Sequence, residues 1–333
     1  MTIQSVKIKE VKTNIFNIEV PLPKNPLKAT NAYLLKGKSK NLLIDTGMNR
    51  QECKDALNTA IDSLDVDMEK TDLFVTHLHA DHLGLAFYFA GKNSKIYFNQ
   101  PDTKVVNDYN FWERAEKMAL QSGFPQKEVN TARKKHPGYK YSQEESDGFT
   151  FVQENDTLEV GNYKLKCIST PGHTPGNTCL YDKDNRLFFS GDHVLWDITP
   201  NISAFLEKGN NPLGKYLESL DKVSELDVEL VLPGHRNTFT DLYGRVEQLK
   251  NHHFERIEEI KTILKEKGNK SAYQVASHMT WDIDCNSWTD FPLVQKWFAT
   301  GEALAHLEYM EKNNMISKET EDSNDISIEF YYI

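Results

Sequence analysis

The sequence His-Leu-His-Ala-Asp-His at positions 77–82 constrains this chain more than any other stretch. It follows the short apolar run 72–75, which has the composition of a buried strand. If the extended backbone continues through the motif, His77 and His79 project to the same side, while the aspartate and the third histidine fall at a helix start. Three imidazoles and a carboxylate this close together form a ligand set suited to zinc or a similar first-row metal.

Three later segments share one format, in which an apolar run is followed by a glycine and then by a metal-type side chain. These side chains are His173 after the run 166–169, Asp192 after 187–190 and His235 after 229–232. Each run is short and bounded by glycine or proline, which is typical of a strand that ends at a tight loop. Side chains at such strand ends gather at one edge of a sheet, where open α/β architectures hold their sites. The sequence therefore predicts a metal site built on four strand ends.

The ordered set of motifs resembles the metallo-β-lactamase-fold hydrolase superfamily. The set consists of H-x-H-x-D-H, T-P-G-H, G-D and G-H, preceded by D-T-G at 45–47, and it covers roughly residues 30–240. The resemblance implies an α/β (α+β) fold, a four-layer αββα sandwich with a dinuclear metal site between its sheets. The function it implies is a dinuclear metal-dependent hydrolase in which a hydroxide that bridges the metals attacks the substrate.

The same resemblance implies which residues hold the two divalent metal ions, zinc by default, with iron or manganese as alternatives. The first metal would be held by His77, His79 and His173, the second by Asp81, His82 and His235, and Asp192 would bridge them. Asp81 has a second, catalytic role, since it can accept a hydrogen bond from the hydroxide and pass the proton to the leaving group. Asp45 ends an earlier strand and is interpreted as an acceptor that orients a ligand or loop. His193 is either a substrate contact or a structural histidine.

The segment at about 101–148 departs from the alternation of strands and helices. Its length and aromatic content predict a helical insertion over the site mouth, with a surface helical hairpin as the alternative. If this segment leans over the site, Arg133 and Lys134 of its basic run favour a substrate that carries phosphate or carboxylate.

We expect a catalytic domain at 1–243 and a helical domain at 244–333, whose three helices and two-stranded wing resemble the winged-helix appendage of some superfamily members. The candidate recognition helix is poor in Lys and Arg, so packing or a homodimer contact is favoured over DNA binding. His252 and His253, in the first of these helices, are expected to be solvated.

Composition and the amino-terminal sequence bear on the binding partners, the state of the cysteines and the location of the protein. A net charge of −10 argues against a protein that binds nucleic acid or an anionic membrane mainly by electrostatic attraction. The four cysteines are widely spaced and lack a C-x-x-C pair, as expected of buried thiols. The amino terminus lacks the apolar core of a signal peptide, so we predict a cytoplasmic protein without a membrane partner.

The substrate class is the least determined part of the prediction. Hydrolysis of a small acyl substrate (a thioester, lactone or activated ester) is preferred, as in the glyoxalase II and lactonase branches that the chain resembles. The alternative is a phosphodiesterase or endoribonuclease acting on single-stranded RNA, for which the basic run, with Tyr139 and Tyr141, offers phosphate pairing and base stacking. A binding-only member is disfavoured because no ligand is missing from the motifs.

Overall fold

The computed structural model describes residues 6–142, 147–207, 209–323 and 326–333. These residues form two large β-sheets. The first sheet contains, in spatial order, β1 (Ile8–Lys12), β2 (Ile15–Pro21), β3 (Ala29–Leu35), β4 (Asn41–Ile44), β5 (Thr71–Phe74), β6 (Ile96–Asn99) and β7 (Phe149–Val152). The second contains β8 (Thr157–Val160), β9 (Tyr163–Ser169), β10 (Thr178–Asp182), β11 (Leu187–Gly191) and β12 (Leu230–Pro233), likewise adjacent in chain order.

Helices connect and cover these strands. They are α1 (Gln51–Ser63), α2 (Ala80–Leu83), α3 (Ala86–Phe89), α4 (Gln100–Val106), α5 (Phe111–Gln121), α6 (Gln126–Lys135), α7 (Pro137–Lys140), α8 (Pro212–Ser224), α9 (Leu242–Lys267), α10 (Ala272–Ala276) and α11 (Leu293–Lys312). A 3-10 turn spans Met68–Lys70, and a hairpin of β13 (Ser317–Ser323) and β14 (Ile326–Tyr332) ends the chain. Among the described residues, no helix has the length and apolar character that a membrane crossing requires.

Three buried clusters define the layers of the fold. Between the sheets, Tyr33 and Phe74 of the first sheet share a cluster with Phe189 of the second. The outer face of the first sheet packs with α1, and the outer face of the second packs with α8 and α9. The order helix, sheet, sheet, helix confirms the predicted four-layer αββα sandwich.

Strand direction brings the predicted site together. In the first sheet β4 runs parallel to β5, and in the second β11 runs parallel to β12. Because β9 and β11 both pair antiparallel with β10, they point the same way. Backbone hydrogen bonds join the two sheets at this edge, from Thr178 N–H to Thr76 O (2.9 Å) and from Asn31 N–H to Gly234 O (2.7 Å).

The insertion and the C-terminal region consist of the predicted elements. Helices α4–α7 lie between β6 and β7, and α9–α11 with the terminal hairpin follow β12. A single buried cluster contains Ala132 of α6, Phe188 of β11 and Leu304 of α11, so the insertion, the second sheet and the C-terminal helices share one core. The domain division at 243/244 and the winged-helix assignment stay predictions.

One expectation for this region is wrong. His253 is fully buried instead of solvated, and its Nδ1 lies 3.1 Å from Nε2 of His306. The reason is that α9 packs against both α8 and α11, with the His253 ring 5.4 Å from the ring of Tyr216. A charged helix can therefore still bury one face.

Candidate metal centre

The predicted ligands converge at the edge where β4, β5, β9, β11 and β12 end. Their ligand atoms form three groups, and within each group all atoms lie within 4.8 Å of one another. The groups are His77, His79 and His173; His77, His82 and Asp192; and Asp81, His82 and His235. The structure thus brings together all seven side chains that the sequence motifs singled out as ligands.

Strand β5 ends earlier than the sequence indicated, at Phe74, and the chain bends through residues 76–78. The bend is stabilised because side-chain carboxylates replace strand partners: Asp45 Oδ1 accepts from Thr76 N–H and Asp102 Oδ2 accepts from Leu78 N–H, both at 2.9 Å. The strand therefore does not extend through the motif, so the condition under which His77 and His79 project to the same side is not met. They converge nevertheless, with His77 Nε2 3.1 Å from His79 Nδ1.

Four of the histidines share one hydrogen-bonding arrangement that fixes the ring proton. Nδ1 lies close to an acceptor in each: Thr76 Oγ1 for His77 (2.9 Å), Asp45 Oδ2 for His82 (2.7 Å), the Asn201 carbonyl for His173 (2.9 Å) and the Ala29 carbonyl for His235 (2.7 Å). Carbonyl and carboxylate oxygens only accept, and the Thr76 hydroxyl donates to Asp45, so Nδ1 must donate in each case. A neutral ring then presents the lone pair of Nε2, as metal-bound histidines do.

Several of these ligand atoms are buried without a well-directed hydrogen bond. They are Nε2 of His82, His173 and His235 and Oδ1 of Asp192. Buried polar atoms in folded proteins nearly always make hydrogen bonds, so four such atoms in one cluster, with only ionic contacts at 3.3–3.9 Å, indicate a partner other than protein. A divalent cation meets this need, because imidazole nitrogen and carboxylate oxygen are its common protein ligands. The residues present therefore fit divalent metal.

Electrostatics divide the histidines into two sets. Burial and the neighbouring histidines lower the pKa of His77 and His173, and they bring that of His79 to about 3. These three rings are therefore neutral at physiological pH. Neutral imidazole is the form that binds a metal, so no proton has to leave this set on binding.

The second set is protonated in the metal-free protein. Burial alone would lower the pKa of His235, but the carboxylates of Asp192 and Asp81, each 3.3 Å from its Nε2, raise it to about 10. At His82, too, burial alone would lower the pKa, but the carboxylates of Asp192, Asp45 and Asp81 raise it well above its usual value. A cation bound here would displace these protons.

Sequence reasoning missed Asp102, which links two of the ligand loops. This fully buried carboxylate accepts from Leu78 N–H in the first loop, and from Thr174 Oγ1 (2.8 Å) and Gly176 N–H (2.7 Å) beside His173. Burial raises its pKa to about 6, so it is ionised at neutral pH. Acidic residues are common in the first turn of a helix, so the position of Asp102 in the first turn of α4 gives no sequence signal of this role.

Three other predicted residues belong to none of the three ligand groups. His193 is fully buried with its ring 5.2 Å from that of Tyr216, and burial lowers its pKa to about 3. Arg133 pairs with Glu116 (Nε to Oε1, 3.2 Å), while Lys134 is exposed. Among the described contacts, neither basic side chain reaches a predicted ligand.

Comparison with known proteins agrees with this geometry. The model of the "Metallo-beta-lactamase superfamily" matches residues 25–235. "Probable metallo-hydrolase YqjP" of Bacillus subtilis is 25% identical over 316 residues, 91% of this chain and 94% of that protein. "Acyl-coenzyme A thioesterase MBLAC2" of Homo sapiens is 26% identical over 224 residues, 63% of this chain and 74% of that protein. The crystal structure of a metallo-beta-lactamase family protein from Thermus thermophilus superposes with a TM-score of 0.81 at 25% identity, covering 97% of this chain and 99% of that one.

Proposed function

Because the chain belongs to the metallo-beta-lactamase superfamily, we propose that it is a metal-dependent hydrolase that cleaves acyl substrates, with thioesters as the leading class. The observation that carries the proposal is that the buried Nε2 atoms of His82, His173 and His235 converge on Asp192 at 3.3–3.7 Å without a well-directed hydrogen bond. A site built only to stabilise the fold would pair these atoms within the protein.

We assign the ligands from the three groups at the sheet edge. His77, His79 and His173 would hold one divalent ion, Asp81, His82 and His235 would hold the second, and Asp192 would be shared by both sets. The neutral state of the first three rings supports the first assignment. The contacts of the Asp192 carboxylate with both sets, 3.7 Å to His173 Nε2 and 3.3 Å to His235 Nε2, support the bridging position. Zinc is the default ion for this set, with iron or manganese as alternatives.

The side chains around the ligands supply orientation and proton acceptance. Bound cations at this site would contribute Lewis acidity and lower the pKa of a water. Asp45 holds the His82 ring, and Asp102 holds the two loops that carry the first three histidines. Burial opposes ionisation of Asp81, but His82 and His235 bring its pKa to about 2, so it is a carboxylate at neutral pH. It can therefore accept a hydrogen bond from an attacking water and pass the proton to the leaving group.

In thioester hydrolysis the water oxygen forms a bond to the acyl carbon and the carbon–sulfur bond breaks. The thiol leaves with one proton of the water, and the acyl group becomes a carboxylic acid. A thioester is supported by relatives named as thioesterases, including "Atrochrysone carboxyl ACP thioesterase" of Aspergillus chevalieri, 23% identical over 250 residues.

The alternative on single-stranded RNA depends on the basic run 133–135 with Tyr139 and Tyr141. Lys134 and Tyr139 are exposed, but Arg133 pairs with Glu116, and no described contact links the run to a predicted ligand. The net charge of −10 also opposes binding of a polyanion. The cytoplasmic location, the possible homodimer and the lack of DNA or membrane partners stay predictions.

The proposal is tested by assaying the purified, metal-analysed protein on an acyl-CoA, an acyl-glutathione thioester, an acyl-homoserine lactone, bis-p-nitrophenyl phosphate and a short single-stranded RNA. We expect turnover of a thioester to exceed that of both phosphodiesters. Asp192→Asn should abolish it, while Asp182→Asn, a buried aspartate at the far end of β10 that accepts from Lys164 N–H, should not. Turnover of RNA alone would overturn the acyl assignment.

A further inference from the structure

A hydrogen-bond path leads from the metal centre into the C-terminal helix α11. Nδ1 of His173 donates to the backbone carbonyl of Asn201 at 2.9 Å. The side-chain amide of Asn201 donates to Oε2 of Glu302 at 2.7 Å. Two hydrogen bonds therefore connect a predicted ligand after β9 with a helix whose first residue is Leu293.

Asn201 is the member of this path whose position is least fixed by secondary structure, because its backbone belongs to neither a helix nor a strand. A carbonyl in such a segment needs other contacts to keep its direction. One contact is the backbone hydrogen bond from Ala204 N–H to Gly301 O of α11, at 3.1 Å. The approach is close: a Cβ at position 301 would overlap Ser203 Oγ, so the glycine lets α11 lie directly against the segment.

Glu302 occupies an unusual place for a carboxylate. It is 8% exposed, on a helix whose buried side chains are mainly apolar, such as Trp297 and Leu304, and Glu308 is a second buried glutamate of that helix. Burial raises its pKa, partly offset by Arg256 and the bond to Asn201. A buried carboxylate costs free energy compared with an apolar side chain, so its presence is more readily explained by a positional role than by stability.

We propose that Glu302 is a positioning residue of the metal centre, which holds Asn201 so that its carbonyl oxygen stays directed at Nδ1 of His173. The inference rests on the proposed function, since it takes His173 as a ligand. It gives the C-terminal region a part in the chemistry of the site. A histidine whose Nδ1–H is firmly held keeps its Nε2 in place, and loss of such a contact typically costs about 10–100-fold in metal affinity.

The test compares Glu302→Ala with Glu302→Gln and with Glu308→Ala. Glu308 is a matched control, because it lies on the same helix, is also 8% exposed, and accepts from Gly209 N–H (3.1 Å) before α8. Metal affinity is measured by competition with a chelator, and ligand geometry by the visible absorption spectrum of the cobalt(II)-substituted protein. We expect Glu302→Ala to weaken binding by up to about 10–100-fold, the cost of losing the Nδ1 contact itself, and to change the spectrum. Glu302→Gln, whose carbonyl still accepts, should retain both properties, as should Glu308→Ala.

The single variant Asn201→Ala keeps the test available if Glu302→Ala fails to fold, and a double-mutant cycle of the two changes tests the route directly. Asn201→Ala removes the amide but keeps the backbone carbonyl, so the double variant should lose no more affinity than either single variant. Additive losses would overturn the proposed route, as would a Glu302→Ala protein with unchanged affinity and spectrum. A wild-type protein that binds no metal would instead overturn the proposed function, and that result is distinct from the other two.

Discussion

Exchange of Asp45 for asparagine alters one atom of a side chain that only accepts hydrogen bonds. Oδ2 accepts from His82 Nδ1 (2.7 Å) and from Thr76 Oγ1 (2.9 Å), and Oδ1 accepts from Thr76 N–H (2.9 Å). Asparagine keeps the shape but replaces one acceptor with a donor. Asp45→Asn therefore tests whether this carboxylate sets the tautomer of His82.

Both orientations of the new amide are unfavourable. With its nitrogen at the Oδ2 position it donates to His82 Nδ1, which must then give up its proton, so the remaining ring proton lies on Nε2, the atom assigned to the metal. With its nitrogen at the Oδ1 position it faces the Thr76 N–H, and two buried donors meet. An unsatisfied buried group costs about 1–3 kcal/mol, so the metal-free protein should lose stability of that order. Metal affinity should fall by about 10–100-fold.

The assay is chelator competition for affinity, with urea unfolding of the chelator-treated protein for stability. Asp182→Asn is the control, because it also removes an acceptor from a buried aspartate (Lys164 N–H at 2.9 Å, Asn185 N–H at 2.9 Å) away from the site. It should lose stability and keep its metal. An Asp45→Asn protein with wild-type metal affinity would refute the reasoning on the tautomer.

The same geometry makes three further predictions. Gly234→Ala should lose bound metal on dialysis, because the added Cβ would overlap Asp192 Oδ1 and approach His82 Cε1 to 2.8 Å; a fully loaded variant would contradict this. In the metal-free protein the pKa of His235 is raised to about 10, so its contribution to stability is complete below its usual pKa of 6.5 and is lost as pH rises through 10. Urea unfolding between pH 6 and 10 should show this decline in the free energy of unfolding, and an increase would contradict the prediction. His193→Ala should lower the free energy of unfolding by about 2–5 kcal/mol and leave metal content unchanged. A large loss of turnover at unaltered stability would instead identify His193 as a substrate contact.

The predicted ligands lay close to their final positions because each follows its strand by only a few residues. An apolar run and a turn precede each of His77, His173, Asp192 and His235. Such local signals can be read from a single sequence. The strand ends by themselves predicted a shared edge, whereas the four-layer sandwich came from the family that the ordered motifs resemble.

The parts that escaped prediction depend on contacts between distant residues. Asp102 lies 74 positions from Gly176, and Asn201 lies 101 positions from Glu302. No periodicity or spacing records such pairs, because each residue looks ordinary in its own segment. The early end of β5 has the same origin, since Asp45 and Asp102 replaced strand partners that the local pattern implied.

The core shared by the second sheet, the insertion and the C-terminal helices has a consequence for synthesis of the chain. All seven assigned ligands have been translated once His235 is made, yet α11 and its Glu302 come later. At about 5–20 residues per second, the stretch from His235 to Glu302 takes roughly 3–13 s to emerge. During that interval the outer face of the second sheet has α8 but still lacks the helices α9 and α11. A chain stopped at this stage would carry every assigned ligand without the glutamate that we propose to position His173, so we expect stable metal binding only after α11 has been made.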